Sequence, residues 1–495
     1  MAANPSTSRP PHLHAVDLMR VVTVLGVIGV HAVASTTRPA SVTGGAAMVL
    51  LHVNREVFFV LTALVLTHSY ASRPLRLGRF YARRYWLVAT PYVAWTAVYL
   101  LADGLPASLP AALTRLGTDL VTGDARYHLY FLLVTMQIYL VFPLLLRLLQ
   151  AARGHHVSLL AASLVVQLAF SAGIHYRVPA PGLLGVWLAR PAALLPSYQF
   201  FVLLGAVAAL HLERLAGWVR RRPSFVALTG AAAVAVGLAS YGADLLLRRA
   251  PVAHASEVFQ PAIAVESVGV ALALFALGTR WAAWRRPGWL DRVVRDAAES
   301  SFGIYLAHPL LLQGAVAAAG AAGLLQIVLA APGAVGVGVA LAAVAPVGAA
   351  TWALTWLMRR TPVSVALTGR RRSRHPAQLT RVPPVAVTGA GTGAVASAEA
   401  TTSAIRSWPS SLGWNQSARP YDVDRPAGPW SPKSAKTPDS GTKTPPTRAQ
   451  SSLTTSSYDR AGTPARSAAP GAAQVPRQTR RAFGDSARRR SSSSP

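Results

Sequence analysis

Cysteine is absent from all 495 residues, which excludes disulfides, thiolate catalysis and cysteine metal centres. Acid is scarce, with 18 Asp and Glu against 48 Lys and Arg and a formal charge of +30. Lysine is almost missing too. All three lysines fall after residue 430, so the basic chemistry of the main body is arginine chemistry. The chain also lacks a Walker loop, dinucleotide-binding glycines after a strand, and HExxH. That argues against a nucleotide-hydrolysing pump. No internal repeat of the solenoid or propeller kind is visible.

Long apolar runs are abundant. The chain is 52% apolar with positive mean hydropathy despite a polar C-terminal quarter, the composition of a polytopic membrane protein. Ten stretches approach the ~20 residues that cross a bilayer: 16–36, 46–70, 86–102, 127–149, 157–175, 195–211, 224–247, 259–279, 301–322 and 333–358. Pro191 and Pro196 crowd the start of the sixth. The first run is too long, and too unmarked by small residues, to be a cleaved signal, so it is expected to stay as a helix.

Taken together, the segments before span 1, after spans 2, 4, 6 and 8, and residues 359–374 carry far more arginine than the alternate loops, which carry seven. Positive residues stay cytoplasmic, so both termini are expected inside and the 103–126 loop outside, in a plasma (inner) membrane. The expected fold class is all-α: a polytopic helix bundle of about ten transmembrane helices with a disordered tail. Three regions follow: a cytoplasmic segment 1–15, a transmembrane domain 16–360, and a basic Ser/Pro/Arg-rich tail 361–495. The tail carries 20 Lys and Arg against 6 Asp and Glu without apolar periodicity, which predicts disorder. It reads mainly as a solvated spacer. A contact with anionic lipid through Arg370, Arg371, Arg372 or Arg488, Arg489, Arg490 is the second reading, and nucleic acid is not expected as a partner.

Inside span 1 the run VVTVLGVIGV separates Arg20 from His31. Eleven helical steps rise about 16 Å and turn about 20° past three full turns, so both share a face. Asp17 joins that face at three residues' spacing. Ionisable groups in hydrocarbon cost about 2.5 kcal/mol or more each, so they face a polar cavity and a partner. The alternative is a packing histidine.

Span 2 adds Arg55 and Glu56, which diverge by about 100° on a helix and need not pair with each other; either can reach Asp17 or His31, or form a structural ion pair. Arg79, Arg83 and Arg84 sit in a cluster suited to phosphate, or serve orientation alone. Tyr127 and His128 open span 4. Tyr305 and His308 share a face of span 9, with His308 expected about 10 Å inside the cytoplasmic surface. Glu266 is a further intramembrane acid.

Taken in order, Asp17-x-x-Arg20-x10-His31, FFVLTALVL, FYARRYWLVATPYVAW, YHLYFLLVTMQIYLVFP and SFGIYLAHPL resemble the acyltransferase-3 family of integral membrane acyltransferases. The spacing around Arg83, Arg84 and Pro91-Tyr92 looks nearest to the biofilm-polysaccharide branch. Thr62-Ala63 stands where the family usually carries Ser-Gly.

The resemblance implies transfer of an acyl group, commonly acetyl or succinyl, from acyl-CoA to a hydroxyl of a glycan or lipid-linked sugar, with no permanently bound cofactor. It implies His31 as general base or transient acyl carrier, oriented by Asp17 or Glu56. Arg20 would hold the donor or stabilise an oxyanion, and Arg79, Arg83 and Arg84 would hold the nucleotide end. Tyr305, His308, Tyr127 and His128 would line the cavity. The rival class is a transporter or flippase of lipid-linked or acidic sugars.

Overall fold

Segments of high apolar content bounded by Pro, Gly and Arg become helices of membrane length. The computed structural model describes residues 12–372 except 72 and 190. Among them there are helices and no strands. The first five helices are α1 (His14–Thr36), α2 (Val42–Tyr70), α3 (Leu77–Ala102), α4 (Leu109–Thr122) and α5 (Tyr130–Ala151). Then come α6 (His156–His175), α7 (Gly182–Ala189), two 3-10 turns (Pro191–Ala193 and Leu195–Tyr198), α8 (Gln199–Leu210) and α9 (Leu212–Arg221). The last seven are α10 (Pro223–Leu246), α11 (Val252–Ala255), α12 (Pro261–Trp284), α13 (Trp289–Ala321), α14 (Leu324–Ala330), α15 (Gly333–Met358) and α16 (Ser364–Thr368).

Nine of these helices are long and apolar enough to cross a membrane, so the chain is a multi-pass membrane protein. The sixth expected span is a bent pair of helices that makes a tenth if the two count as one. Its prolines leave a 3-10 turn followed by the 12-residue α8. The chain then bends 87° into α9. Helix α9 is amphipathic: Leu215 and Val219 face the core while Arg220 and Arg221 close its last turn. A helix of that pattern suits the membrane surface. Helix α4, with no buried residue, a Ser108 cap and a left-handed Gly123 at its end, is a second helix of this kind in the 103–126 loop.

Helix α1 is central, packed on α2, α12, α13 and α15, and α2 packs on α8 on its other side. The α2–α8 approach depends on Gly205: a Cβ there would fall 2.1 Å from the Val60 carbonyl oxygen. Close backbone approach through small residues is how helices associate without a hydrophobic driving force. Phe59 fills the space beside this contact, wedged between Phe131 and Tyr198 at 4.6 and 4.3 Å. On the far flank, Tyr81 and Tyr85 of α3 donate to the carbonyls of Leu140 and Met136 of α5. Their four-residue spacing matches the spacing of the acceptors, so one helix face is stitched to the other.

Residues 361–372 do not behave as the start of a tail. Ser364 and Thr368 are buried, and the Trp95 indole N–H of α3 donates to the Leu367 carbonyl at 3.0 Å. Gly369 ends α16 at φ +64°, where a Cβ would meet the Phe302 ring at 2.6 Å and the Leu87 carbonyl oxygen at 2.8 Å. Pro91 explains that carbonyl: lacking an N–H, it leaves the group four residues earlier unpaired. The helical body thus runs to at least residue 372. The predicted disorder of 373–495 lies outside the described residues.

Candidate active site

The bundle has two chemically different ends. At the end where α1 finishes, three histidines converge. The His31 and His308 rings are stacked with centroids 5.4 Å apart. His31 also lies 4.0 Å from the Tyr127 ring, and His128 lies 5.4 Å from His308 and 5.2 Å from Tyr305.

A proline sets the geometry of His308. Pro309 removes the N–H that would have bonded the carbonyl four residues back, which belongs to Tyr305. The His308 Nδ1 takes that carbonyl at 2.7 Å. A carbonyl only accepts, so Nδ1 carries the proton and Nε2 presents its lone pair. That Nε2 is buried without a hydrogen-bond partner. The Tyr305 hydroxyl in turn donates to the His128 carbonyl at 2.7 Å, and the Tyr99 hydroxyl donates to the Leu306 carbonyl at 2.7 Å. Both ring nitrogens of His128 are buried and unpartnered. The Tyr127 side of the cluster is open: Tyr127 is 49% exposed whereas His128 is 2% exposed.

Towards the other end lies a narrow cavity of about 40 Å3, walled by α1, α2, α3, α5 and α13. Arg20 and Arg84 line one part of it and Tyr305 another. Tyr305 is therefore the partition between this cavity and the histidines. Arg84 is buried, its guanidinium 5.3 Å from the Tyr70 ring and 5.6 Å from the Tyr139 ring. Arg20 shares its electrostatic surroundings with Asp17, Glu299, Arg84 and Arg370. Glu299 of α13 accepts from Arg370 at 2.8 Å and lies 3.7 Å from Arg359. Burial lowers the Arg370 guanidinium from its ordinary value, and the Glu299 carboxylate opposes the shift.

The expected cavity residues Tyr305, His308, Tyr127 and His128 come together around His31. Helix α1 starts at His14 and α13 at Trp289, so His31 lies about 26 Å and His308 about 28 Å along their helices. His31 is three-quarters of the way along α1, and His308, stacked on it, is at the end of the bundle away from Arg20.

Asp17 is not brought to His31. It lies about 21 Å back along α1, bonded to His12 at 2.5 Å and 3.7 Å from His14. Glu56 is engaged elsewhere as well: despite their divergence, Arg55 curls onto its neighbour, and the pair forms an ion pair. The Arg55 guanidinium is also held between the Tyr198 and Phe259 rings at 4.9 and 4.5 Å.

The arginine cluster splits as well. Arg79 and Arg83 share a helix face that leaves Arg79 exposed, while Arg84, about 100° round, turns into the cavity. Three contributors were missed. Tyr99 gave no periodic signal, and Arg359 and Arg370 were assigned to orientation and tail. The His-Pro dipeptide at 308–309 was the legible clue to His308.

A cavity with two arginines lies inside a multi-pass bundle, separated by Tyr305 from a histidine cluster, and the family that the chain matches makes it a membrane acyltransferase. The chain belongs to the acyltransferase-3 family, whose acyltransferase-domain profile matches residues 13–344. No curated protein and no solved structure matches the chain. The matched region contains every residue of the histidine cluster and both cavity arginines.

Proposed function

We propose that the protein transfers an acyl group, acetyl or succinyl, from acyl-CoA to a hydroxyl of a cell-envelope glycan or lipid-linked sugar, of the kind handled by the biofilm-polysaccharide branch. Its membrane is the plasma membrane, with both termini cytoplasmic. The observation that carries the reading is the alignment on α1 of Arg20, in the cavity, with His31, stacked on His308.

In this account acyl-CoA enters at the Arg20 end. Arg84 and Arg20 hold its phosphates or pantetheine arm by charge-assisted hydrogen bonds, with Arg79 and Arg83 as surface attraction. The narrow cavity requires Phe58, Phe302 and Tyr305 to turn aside as the thioester advances towards the histidines. The acceptor hydroxyl arrives beside Tyr127, the open side of the cluster. His31 takes its proton as the oxygen attacks the thioester carbonyl. The tetrahedral intermediate collapses, the carbon–sulfur bond breaks, and the thiolate receives the proton. Arg20, about three turns from His31, acts on the donor and not on the oxyanion. The bare Nε2 of His308 favours a second assignment, with His308 as the base and His31 as the residue that positions the acceptor.

Purified protein supplied with acyl-CoA and envelope glycan fragments should release free coenzyme A thiol and give acylated glycan by mass spectrometry. A transporter of acidic sugars would release no thiol above the solvent rate.

A further inference from the structure

Away from the histidine cluster, a second constellation sits where α6 ends and α10 gives way to α11. This end of α10 lies beside the start of α2, to which Tyr241 is bonded, so it is at the His31 end of the bundle. His175 is the last residue of α6 and is completely buried. Its Nε2 bonds Asp244 Oδ2 at 3.0 Å. Asp244 is completely buried and also accepts from Gln260 at 2.7 Å and from Arg248 at 2.5 Å. The carboxylate fixes the tautomer: Nε2 carries the proton and Nδ1 presents its lone pair.

That Nδ1 is buried with no hydrogen-bond partner. It is aimed at Glu257 Oε2, 3.7 Å away, and the same oxygen lies 3.5 Å from His254 Nδ1. The other Glu257 oxygen accepts from Arg177 at 2.6 Å, which leaves Oε2 facing the two imidazoles.

We propose that His175, His254 and Glu257 form a binding site for one divalent transition ion, zinc by preference, which ties the end of α6 to α11 and, through Asp244, to α10. Two imidazoles and a carboxylate with a fourth position left to water are ligands of the borderline kind zinc takes. Zinc bonds of about 2.0–2.1 Å place tetrahedral ligand atoms about 3.3–3.4 Å apart. The two observed separations exceed that by only a few tenths of an ångström. Asp244 supplies the outer-shell carboxylate that orients a metal-bound histidine. The His175 and His254 rings lie stacked at 4.5 Å, so binding requires His254 to turn its ring; that side chain, 26% exposed, is the mobile member. Glu257 is 29% exposed, which gives an ion a path in.

The test uses the full chain in detergent, purified without a histidine tag and stripped with chelator, then titrated with zinc chloride against a competing indicator and separately with cobalt chloride. The expected result is one tight equivalent of zinc, a visible cobalt band of tetrahedral type, and a melting temperature that rises with zinc. His254→Ala and Glu257→Gln should each weaken zinc binding at least tenfold and remove the thermal rise. Asp244→Asn should weaken binding about 10–100-fold. His254 is partly exposed, so His254→Ala remains informative if a buried variant fails to fold. Unchanged zinc binding in His254→Ala overturns the proposal. So does loss of zinc only in His14→Ala, which removes the His12, His14 and Asp17 group, and so does no zinc uptake by the unaltered chain.

Discussion

The imidazoles of His31 and His308, from helices almost three hundred residues apart in sequence, stack with ring centroids 5.4 Å apart. The orientation of the His308 ring traces to Pro309. By leaving the Tyr305 carbonyl without a helical donor, the proline gives His308 Nδ1 its partner and points Nε2 into the cluster.

Pro309→Ala tests this directly. Alanine restores the missing N–H, and helix interiors favour Ala over Pro by about 3 kcal/mol. The variant should therefore be at least as stable as the parent in a thermal melt, yet its kcat should fall about tenfold or more as the His308 ring loses its fixed acceptor. A variant with unchanged kcat would show that the His308 tautomer does not matter to turnover.

The arginines at the donor mouth should separate by burial. Arg84→Gln removes a buried, charge-assisted contact, worth about 1.5–3 kcal/mol, and should raise KM for acyl-CoA by about 10–150-fold. Arg79→Gln, on an exposed position, should change KM less than threefold. Steady-state kinetics over a range of acyl-CoA concentrations decides this, and equal effects from both would return the cluster to an orienting role.

Truncation should respect the observed end of the helical body and not the composition shift at residue 361. Ending the chain after residue 372 keeps α16, the Trp95–Leu367 bond and the Arg370–Glu299 pair, so detergent-stable yield and thiol release should persist. Ending it after residue 360 removes all three and exposes Phe302 and the Leu87 carbonyl. A melt of the two proteins should show the shorter one lower by several degrees, and identical melts would contradict the docking of α16.

Much of the architecture is legible in the sequence because it rests on local signals. Apolar length gives the spans. The Arg20-to-His31 register gives the shared face of α1. What escapes is non-local. The partner of Asp17 is His12, which precedes the apolar run and carries no signal of its own. The Arg55–Glu56 pair escapes because side-chain reach overrides the angular divergence of their Cα atoms. The sixth span is bent by 87° at His211, away from the prolines that the sequence displays, where Leu215 and Val219 pack against the core. The α16 contact escapes because five helical residues inside a basic stretch carry no periodic signal; Trp95 and Phe302, both far earlier in the sequence, make it favourable.

Orientation is open to a chemical test that the composition invites. Because the chain has no cysteine, a single Cys in place of Pro110 on α4 gives a background-free probe. Impermeant maleimide should label it in intact cells, and a partner probe in place of Arg286, between α12 and α13, should label only after the cells are opened. The reverse pattern would place the termini outside.

The central claim is that His31 takes part in the chemical step. The decisive measurement is turnover per correctly inserted molecule of His31→Ala at saturating acyl-CoA, with His308→Ala alongside. Loss of a positioned general base removes about 10²–10⁴ in rate, so His31→Ala should fall by at least a hundredfold while its membrane insertion and melting temperature stay near the parent's. Turnover close to the parent's, with lowered stability alone, would contradict the account and reduce His31 to a packing residue beside His308.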